Sequence, residues 1–421
     1  MFNKISVIGL GYIGLPTAAM FASKNKNVIG VDVNEKAVDI INSGKIHIVE
    51  PNLDTVVHEA VTNGFLKATT TPEAADAFLI AVPTPFKEDK QPDLRYIEAA
   101  CKAIAPVLAK GNVVVLESTS PVGATKQMAQ WIAELRPDLS LPTSNDSTEQ
   151  DLFIAHCPER VLPGHVMREL IENDRVIGGM SQACAEKAKA LYEVFVKGEC
   201  VLTNCDTAEM AKLTENAFRD VNIAFANELS IICDDLDINV WELIAIANRH
   251  PRVNILQPGP GVGGHCIAVD PWFIVSRTPE LAKLIATARN VNDGKPAWVM
   301  DKVNAALVEV ANLKKVAPSE LTIACLGLAF KPDIDDLRES PALRITEALA
   351  GKHEGNILAV EPNIHELPKS LVEHKVALAS VETATTDADI VLLLVDHKEF
   401  KSMSLSLSEE QRLVDTRGVW N

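Results

Sequence analysis

Long apolar runs are absent from the 421-residue sequence. The longest runs, such as residues 112–116 and 390–395, have the length of a strand. A membrane-spanning helix needs roughly 20 apolar residues, so we predict no membrane association. No secretory signal peptide is expected either.

Paired cysteines and an excess of positive charge are absent as well. The 8 cysteines are scattered without a CxxC motif, which argues against a disulfide framework and predicts no metal site. This usage fits a reducing compartment, and we expect a cytoplasmic protein. The 40 Lys and Arg against 57 Asp and Glu give a net charge of -17, which disfavours contact with nucleic acid or anionic membrane. Any phosphate must then be bound by local features.

Short β-branched runs alternate with amphipathic stretches in the first half of the chain and again after residue 321. The runs are residues 5–9, 28–33, 78–82, 113–117, 153–156, 322–328, 357–360, 390–395 and 413–415. Such alternation is typical of parallel sheets with helices on both faces. Between the two regions, apolar residues recur at helical spacing over most of residues 206–229.

This pattern predicts an α/β protein with two doubly wound, Rossmann-like domains joined by a long central helix and a helical middle domain. A chain of this length exceeds one hydrophobic core, which agrees with several domains. The predicted domains are residues 1–204, 205–316 and 317–421.

A glycine motif follows the first run. Gly9, Gly11 and Gly14 form GxGxxG between a strand and a helix, where the glycines permit a tight turn, admit a pyrophosphate and pack the helix on the strand. The motif alone is also compatible with an ordinary turn. Asp32 ends the second run, 18 residues after Gly14, where a carboxylate accepts hydrogen bonds from an adenosine ribose. Together they predict a dinucleotide site that prefers NAD, because Asp32 repels the 2′-phosphate of NADP.

A second glycine-rich segment, residues 259–264, precedes Cys266, and Asp270 lies four residues beyond the cysteine. Backbone without side chains lets a substrate approach the sulfur, and a thiolate is a strong nucleophile at neutral pH. The alternative is that Cys266 is a small buried hydrophobic residue beside a turn. The dinucleotide site predicted at the other end of the chain favours the nucleophile.

Polar segments also follow two predicted strands, at the sheet edge where open α/β sheets bind ligands. Thr119 could bind a substrate or a water molecule, or residues 118–120 could cap the next helix. Glu159 is either a surface charge at the end of a strand or a catalytic carboxylate.

Two pairs of cationic or polar residues have similar alternatives. Lys212 and Asn216 are four residues apart on the predicted central helix, so they form either an exposed polar face or a pair that stabilises an oxyanion. Lys331 and Arg338 follow a predicted strand of the last domain. They could bind phosphates or pair with the aspartates of the same segment.

The segments GLGYIG, ESTSPVG, CPER, KLTEN, GPGVGGHC and FKPDIDDLRES occur in this order over almost the whole sequence. In this combination they resemble the UDP-glucose/GDP-mannose dehydrogenase family. The longer forms HCPERVLPGH and NRHPRVNILQPGPGVGGHCIAVDPWFI are most similar to the branch that acts on UDP-N-acetyl-D-mannosamine. The resemblance implies an NAD-dependent, four-electron oxidation of this sugar at C6 to a carboxylate. The first domain would then bind NAD and the last the UDP sugar.

The resemblance also implies a covalent mechanism. Cys266 would capture the aldehyde as a thiohemiacetal, which the second oxidation converts into a thioester, so that no reactive aldehyde leaves. Lys212 and Asn216 would stabilise the oxyanions.

Hydrolysis and proton transfer involve further residues of the motifs. By the same resemblance, Asp270 and Thr119 would hold or activate the water that attacks the thioester, with Glu159 as a candidate base. The base of the first oxidation stays open between Lys212 and a water bound by Asp270.

Binding residues follow from the same motifs. Those implied for NAD are Gly9, Gly11, Tyr12, Ile13, Gly14, Asp32, Thr84, Thr119 and Arg338. Those implied for the UDP sugar are Arg160, Lys212, Asn216, Arg252, Gly263, His265, Lys331 and Arg417. Arg252 matches an arginine that the family supplies from a neighbouring subunit, and we therefore expect a homodimer.

One departure from the family pattern bears on the sugar. Where UDP-glucose enzymes carry a second glutamate, four residues after the position of Glu159, this chain has Pro163. We therefore favour a sugar with an acetamido group at C2, to which Arg160 or His265 could offer a hydrogen bond. The competing functions are oxidation of UDP-glucose or UDP-N-acetylglucosamine, a single oxidation of the β-hydroxyacid dehydrogenase type, which has no use for Cys266, and a non-catalytic nucleotide-binding protein.

Overall fold

The computed structural model describes residues 2–87, 90–142, 149–162, 164–264 and 266–420. The chain consists of two compact units. The first comprises Met1–Glu215 and Trp272–Pro279, and the second comprises Asn216–Pro271 and Glu280–Asn421. The predicted domain boundaries near residues 204 and 316 stay a prediction.

The first unit is built on an eight-stranded sheet in the order β3-β2-β1-β4-β5-β6-β7-β8. Its strands are β1 Lys4–Ile8, β2 Asn27–Val31, β3 Leu66–Thr69, β4 Ala77–Ile80, β5 Val113–Leu116, β6 Phe153–His156, β7 Arg175–Gly179 and β8 Cys200–Asn204. All neighbouring pairs are parallel except β6 and β7, which run antiparallel. The sequence does not predict β3, β7 and β8, because these short segments mix apolar residues with polar residues or glycine.

Helices connect most of these strands. They are α1 Gly14–Ser23, α2 Glu35–Asn42, α3 Leu53–Thr62, α4 Arg95–Ile104, α5 Ala124–Leu135, α6 Val166–Glu172 and α7 Gln182–Tyr192. Asn34 and Ser181 cap α2 and α7 with side-chain oxygens that accept backbone N–H groups of the first turn.

The strands read as continuous apolar runs because both faces of the sheet are covered. In β5, Val113 and Val115 join one hydrophobic cluster. Val114 and Leu116 join another on the opposite face. Side chains alternate along a strand, so a sheet between two helical layers buries every position.

The chain between the two sheets is helical. Its helices are α8 Cys205–Asp235, α9 Val240–Ala247, α10 Asp270–Arg277 and α11 Lys283–Lys314. The 31-residue α8 is the predicted central helix. None of the helices in the described part of the chain combines the length and apolarity that crossing a membrane requires.

The second unit contains a five-stranded parallel sheet in the order β11-β10-β9-β12-β13. Its strands are β9 Ile323–Leu326, β10 Ile357–Val360, β11 Ala377–Leu378, β12 Ile390–Leu393 and β13 Arg412–Asp415, and its helices are α12 Pro341–Ala350, α13 Lys369–Glu373, α14 Val381–Asp387 and α15 Lys398–Lys401. In both sheets the strand order reverses beside the first strand, as in doubly wound folds, which confirms the predicted fold class.

Candidate active site

The turn between β1 and α1 leaves room for a phosphate. Gly9 has a φ of +92°, which favours glycine, and a Cβ added to Gly14 would lie 1.8 Å from the carbonyl oxygen of Gly9. No described residue comes within 4 Å of a Cβ added to Gly11. The first and third glycines therefore permit the tight turn, while the second leaves its outer side open for a pyrophosphate at the start of α1. Tyr12 and Ile13 complete this loop, and Tyr12 is exposed.

Asp32 is fixed at the end of β2. Its Oδ2 accepts the backbone N–H of Leu10 at 2.8 Å, and its Oδ1 accepts that of Asn34 at 2.9 Å. The side chain is half-buried. The carboxylate is thus held against the glycine loop with accessible lone pairs, an arrangement that fits an adenosine ribose.

The loops after β4 and β5 are tied together. The hydroxyl of Thr84 donates to the carbonyl of Thr119 at 2.5 Å, and that of Ser118 donates to the carbonyl of Val82 at 2.7 Å. The alternative in which residues 118–120 cap the next helix is wrong, because the buried carboxylate of Glu209 accepts the N–H groups of Gly123 and Thr125 at the start of α5. Sequence reasoning missed Glu209, which lies on α8, far along the chain.

Glu159 is buried, so it is not a surface charge. Its Oε2 lies 2.9 Å from the guanidinium of the buried Arg175, and its Oε1 accepts the backbone N–H of Arg160 at 2.8 Å. Sequence reasoning missed Arg175, since a single arginine in a short strand carries no motif.

A second buried carboxyl belongs to the same cluster. The hydroxyl of Tyr192 donates to Oε1 of Glu117 at 2.6 Å, while the other oxygen of Glu117 has no hydrogen-bond partner among the described residues. Burial raises the pKa of Glu117 to about 7, and the negative charge of Glu159 acts in the same direction against the opposing effect of Arg175. The guanidinium of Arg175 is paired with Glu159, so the buried Glu117 has no cation of its own, which favours its neutral form.

The first unit also places two predicted residues around the start of α8. Arg160 forms an ion pair with Glu215 at 2.6 Å. Lys212 is half-buried on the same helix. This ion pair orients Arg160, an interaction that the sequence alone does not predict.

In the second unit, Cys266 is exposed, whereas the other cysteines are buried. The interpretation of Cys266 as a small buried hydrophobic residue is therefore wrong. The backbone N–H groups of Val269 and Asp270 donate to the carbonyl of Cys266 at 3.1 and 2.9 Å. This turn places the cysteine directly before α10.

The cysteine turn is joined to the central helix. Asn216 on α8 donates from Nδ2 to Oδ2 of Asp270 at 2.5 Å, and both side chains are buried. The structure thus joins Asn216 on α8 to the loop that contains Cys266 and Asp270. In the sequence this loop lies 50 or more positions after Asn216.

The glycine-rich segment before the cysteine is packed against the second unit's C-terminal region. A Cβ on Gly263 would lie 2.5 Å from the carbonyl oxygen of Glu339 and 2.6 Å from the ring of Pro341. The ring of Phe330 would meet a Cβ on Gly264. The glycines therefore serve close backbone packing as well as access to the sulfur.

Arg417 stands at the other end of this segment. Its guanidinium donates to Asp396 at 2.7 Å and to the carbonyl of Pro258 at 3.4 Å. Burial tends to raise the pKa of Asp396, but Arg417 and Lys401 hold it below its ordinary value. Arg417 is therefore a fixed cation beside the cysteine segment, as a phosphate-binding residue requires.

The remaining predicted cations lie at the surface. Lys331 is exposed in the loop after β9. Arg338 forms a 2.6 Å ion pair with Asp336, which agrees with the alternative of a local salt bridge. Arg252 is exposed in the turn after α9. His265 and Pro163 lie outside the described residues.

Comparison with known proteins extends over the whole chain. Models of the UDP-glucose/GDP-mannose dehydrogenase family match residues 3–196 (NAD binding domain), 206–294 (central domain) and 324–421 (UDP binding domain). The chain is 65% identical to the UDP-N-acetyl-D-mannosamine dehydrogenase of Yersinia pestis over 419 residues, which cover 100% of this chain and 99% of that relative.

Two further proteins are similar over their full length. The NDP-N-acetyl-D-galactosaminuronic acid dehydrogenase of Ralstonia nicotianae is 61% identical over 420 residues, covering 100% of this chain and 97% of the relative. The solved structure of the UDP-D-ManNAc dehydrogenase from Pyrococcus horikoshii has a TM-score of 0.87 at 40% identity, covering 99% of this chain and 96% of that chain. The chain thus belongs to the UDP-glucose/GDP-mannose dehydrogenase family and is an NAD-dependent nucleotide-sugar dehydrogenase.

Proposed function

We propose that the protein oxidises UDP-N-acetyl-D-mannosamine at C6 to UDP-N-acetyl-D-mannosaminuronate and reduces two NAD per product. The observation that carries this proposal is the exposed Cys266 in a turn held by the Asn216–Asp270 hydrogen bond. The full-length likeness to the Yersinia pestis enzyme supports the choice of sugar.

The glycine loop and Asp32 fit NAD: Gly11 would leave room for the pyrophosphate, and Asp32 would accept hydrogen bonds from the ribose hydroxyls. Thr84 and Thr119 lie at the strand ends of the same unit. The chemistry that bound NAD supplies is the acceptance of a hydride in each oxidation. The protein must therefore hold an aldehyde between two such steps.

Cys266 retains that aldehyde. Its sulfur adds to the C6 carbon of the aldehyde, the π bond of the carbonyl group breaks towards oxygen, and the thiol proton passes to solvent. Lys212 stabilises the resulting oxygen charge. Oxidation of this adduct leaves a thioester on Cys266. Attack of water then breaks the C–S bond and returns the thiol and the carboxylate product.

Asp270 directs the attacking water. Its Oδ2 accepts a hydrogen bond from the amide of Asn216, and this contact holds the carboxylate in one orientation. The second N–H of the same Asn216 amide is available to an oxyanion. We assign Asn216 both tasks, and Thr119 a contact with the water or the cofactor.

Glu159 receives a positioning role in this scheme. Both of its oxygens are engaged by Arg175 and by the backbone of Arg160, which holds Arg160 at the end of β6. We assign proton acceptance in the first oxidation to Lys212 or to a water on Asp270, and the contact with the acetamido group to Arg160 or His265.

The UDP half of the substrate is assigned to the second unit. Two cations of this unit are assigned to it. Arg417 lies beside the cysteine segment, and Lys331 lies in the loop after β9. Arg338 was assigned to the cofactor by the family resemblance, and its ion pair with Asp336 is compatible with that role only if the pair opens on binding.

We also propose a homodimer formed through α8. Phe218, Phe225 and Ile232 recur every seven residues on this helix and are 69%, 53% and 45% exposed. An apolar stripe of this kind favours a second copy of the chain. The exposed Arg252 would then be able to reach the partner's substrate.

A reducing compartment agrees with this chemistry. Cys266 is exposed and therefore accessible to oxidants, whereas the other cysteines are buried. We therefore place the enzyme in the cytoplasm.

The proposal is tested with a panel of nucleotide sugars, in which NADH and the uronate are measured together. We expect two NADH per product and the highest kcat/KM for UDP-N-acetyl-D-mannosamine, with UDP-glucose lower by at least about tenfold, or about 1.4 kcal/mol. UDP-N-acetylglucosamine and UDP-N-acetylgalactosamine belong in the panel because they keep the acetamido group. Equal or better turnover of another sugar contradicts the substrate, and one NADH per product contradicts the covalent mechanism.

A further inference from the structure

The two sheets contain the same turn after the strand that comes first in the chain order of each sheet. Gly9 after β1 has a φ of +92° and Gly327 after β9 has a φ of +90°. Each donates its N–H to the carbonyl at the end of the neighbouring strand, at 2.8 Å in both cases. Each neighbouring strand is followed by a carboxylate, Asp32 after β2 and Glu361 after β10, which accepts backbone N–H groups of the turn.

The two carboxylates differ in their exposure to solvent. Asp32 is half-buried, whereas the Glu361 side chain is fully buried. Oε2 of Glu361 accepts the N–H groups of Leu328 and Ala329 at 2.8 and 3.0 Å, and it lies 3.0 Å from Nε2 of His397. A ribose hydroxyl therefore has no path to Glu361. The position that binds a dinucleotide in the first sheet is filled by His397 in the second.

His397 connects this carboxylate to the loop after β9. Its ring is fully buried, and the residue directly precedes α15. Its Nδ1 receives the backbone N–H of Asp333 at 3.0 Å and the amide of Asn363 at 3.2 Å. Two donors at Nδ1 and a carboxylate at Nε2 assign the ring proton to Nε2. Asp333 itself has a φ of +62°, so this turn needs an external anchor.

The loop anchored in this way carries Lys331 two residues before Asp333. The carboxylate of Asp333 also accepts the N–H of Lys398 at 3.0 Å. Carboxylates of Asp333 and Glu399 approach the His397 ring, but both ring nitrogens are already engaged in hydrogen bonds, so a metal is not the explanation of this cluster.

We infer that His397, held by Glu361, is a positioning residue for the UDP half of the substrate: it fixes the turn at Asp333 and thereby the place of Lys331. This inference rests on the proposed function, because Lys331 is assigned to the substrate there. His397 does not itself touch the ligand, since its ring is enclosed.

Two substitutions separate the contacts of the ring. His397→Gln can keep a donor to Glu361 but loses the acceptor for Asp333, while His397→Asn can keep that acceptor and loses the donor. His374→Gln is the matched control, because His374 is exposed in the same unit. Dissociation constants for UDP and for NAD are measured by calorimetry, without turnover.

We expect His397→Gln to weaken UDP binding by about tenfold and His397→Asn by less, with NAD affinity unchanged in both. Lys331→Gln should weaken UDP binding as well. In the Lys331→Gln background, His397→Gln should cause little further loss, because the residues act through one contact. The control should bind both ligands like the unaltered protein.

Three results would overturn the inference. They are an unchanged UDP affinity in His397→Gln, losses that multiply in the double variant, and a Lys331→Gln variant with unaltered UDP affinity. Loss of NAD binding would indicate that His397→Gln does not fold. His397→Asn is then compared in the unaltered protein and in Lys331→Gln, and its effect on UDP affinity in the two tests the same dependence on Lys331. A protein that binds UDP but oxidises a different UDP sugar would change the proposed substrate and leave this inference intact.

Discussion

Asn216 and Asp270 meet at 2.5 Å between Nδ2 and Oδ2, and this contact joins α8 to the turn that carries Cys266. Both side chains are buried. A buried carboxylate needs a donor, and the amide supplies one without neutralising the charge. The contact therefore couples the position of the predicted nucleophile's turn to the central helix.

Replacing Asp270 by Asn should block hydrolysis of the thioester. The new amide can still accept from Asn216, so the turn is retained while the negative charge that activates water is lost. We expect steady-state kcat to fall by about a hundredfold or more. Rapid mixing should show a burst of NADH, and intact mass spectrometry should show a sugar adduct on Cys266. A variant without burst or adduct would contradict the assigned role of Asp270.

Cys266→Ala should abolish uronate formation, since the other seven cysteines are buried. NAD affinity should stay unchanged, because the glycine loop belongs to the other compact unit. Ellman's reagent should titrate a single fast thiol in the native protein and none in Cys266→Ala. Cys200→Ala is the control, since Cys200 is buried in the edge strand β8, and it should keep both the fast thiol and the activity.

Asp32→Ala should weaken NAD binding by about 1–3 kcal/mol, through lost charged hydrogen bonds to ribose and an unsatisfied N–H at Leu10. The preference of this variant for NAD over NADP should decrease. Asp32→Asn keeps an acceptor for Leu10, so it separates the ribose contact from the structural one. Calorimetry with both cofactors measures these effects. Unaltered NAD affinity in both variants would show that the ribose lies elsewhere.

The stability of the protein should depend on Glu117. Burial raises the pKa of this carboxyl from its ordinary value near 4.5 to about 7. The folded state therefore binds more protons than the unfolded state between these values, and the free energy of unfolding should fall as the pH rises from about 4.5 to 7, by roughly 3 kcal/mol.

Glu117→Gln removes this titration and retains an acceptor for Tyr192. Urea unfolding of both proteins at pH 5 and pH 8 is the measurement. From pH 5 to pH 8, we expect the free energy of unfolding of the variant to rise relative to that of the unaltered protein. An identical pH dependence in the two proteins would mean that Glu117 is ionised in the folded state throughout.

Phe225→Asp should disrupt the dimer proposed through α8, because it places a charge in the apolar stripe of residues 218, 225 and 232. Sedimentation velocity should show a dimer for the unaltered protein and a monomer for the variant, with reduced activity. Val372→Asp is the control, since Val372 is an apolar residue on a different helix, α13, and is 57% exposed. A monomeric unaltered protein with full activity would exclude the dimer.

The sequence by itself determined the fold class and the chemistry-bearing segments. Continuous apolar runs indicate a parallel sheet that is covered on both faces. The spacing of Gly9, Gly11 and Gly14 indicates a tight turn, and Asp32 follows at the end of the next strand. Such features depend on neighbouring residues, so they can be read without coordinates. The strands β3, β7 and β8 escaped this reasoning because their few apolar residues gain stability only from adjacent strands.

Only the tertiary structure decided which side chains meet. Glu209 caps α5, Arg175 pairs with Glu159, and His397 fills the position next to Glu361. These partners come from distant parts of the chain, where one buried polar residue has no sequence signature. A buried charge must find a partner wherever the fold brings one. Pairing of this kind is fixed by packing, and packing depends on the whole chain.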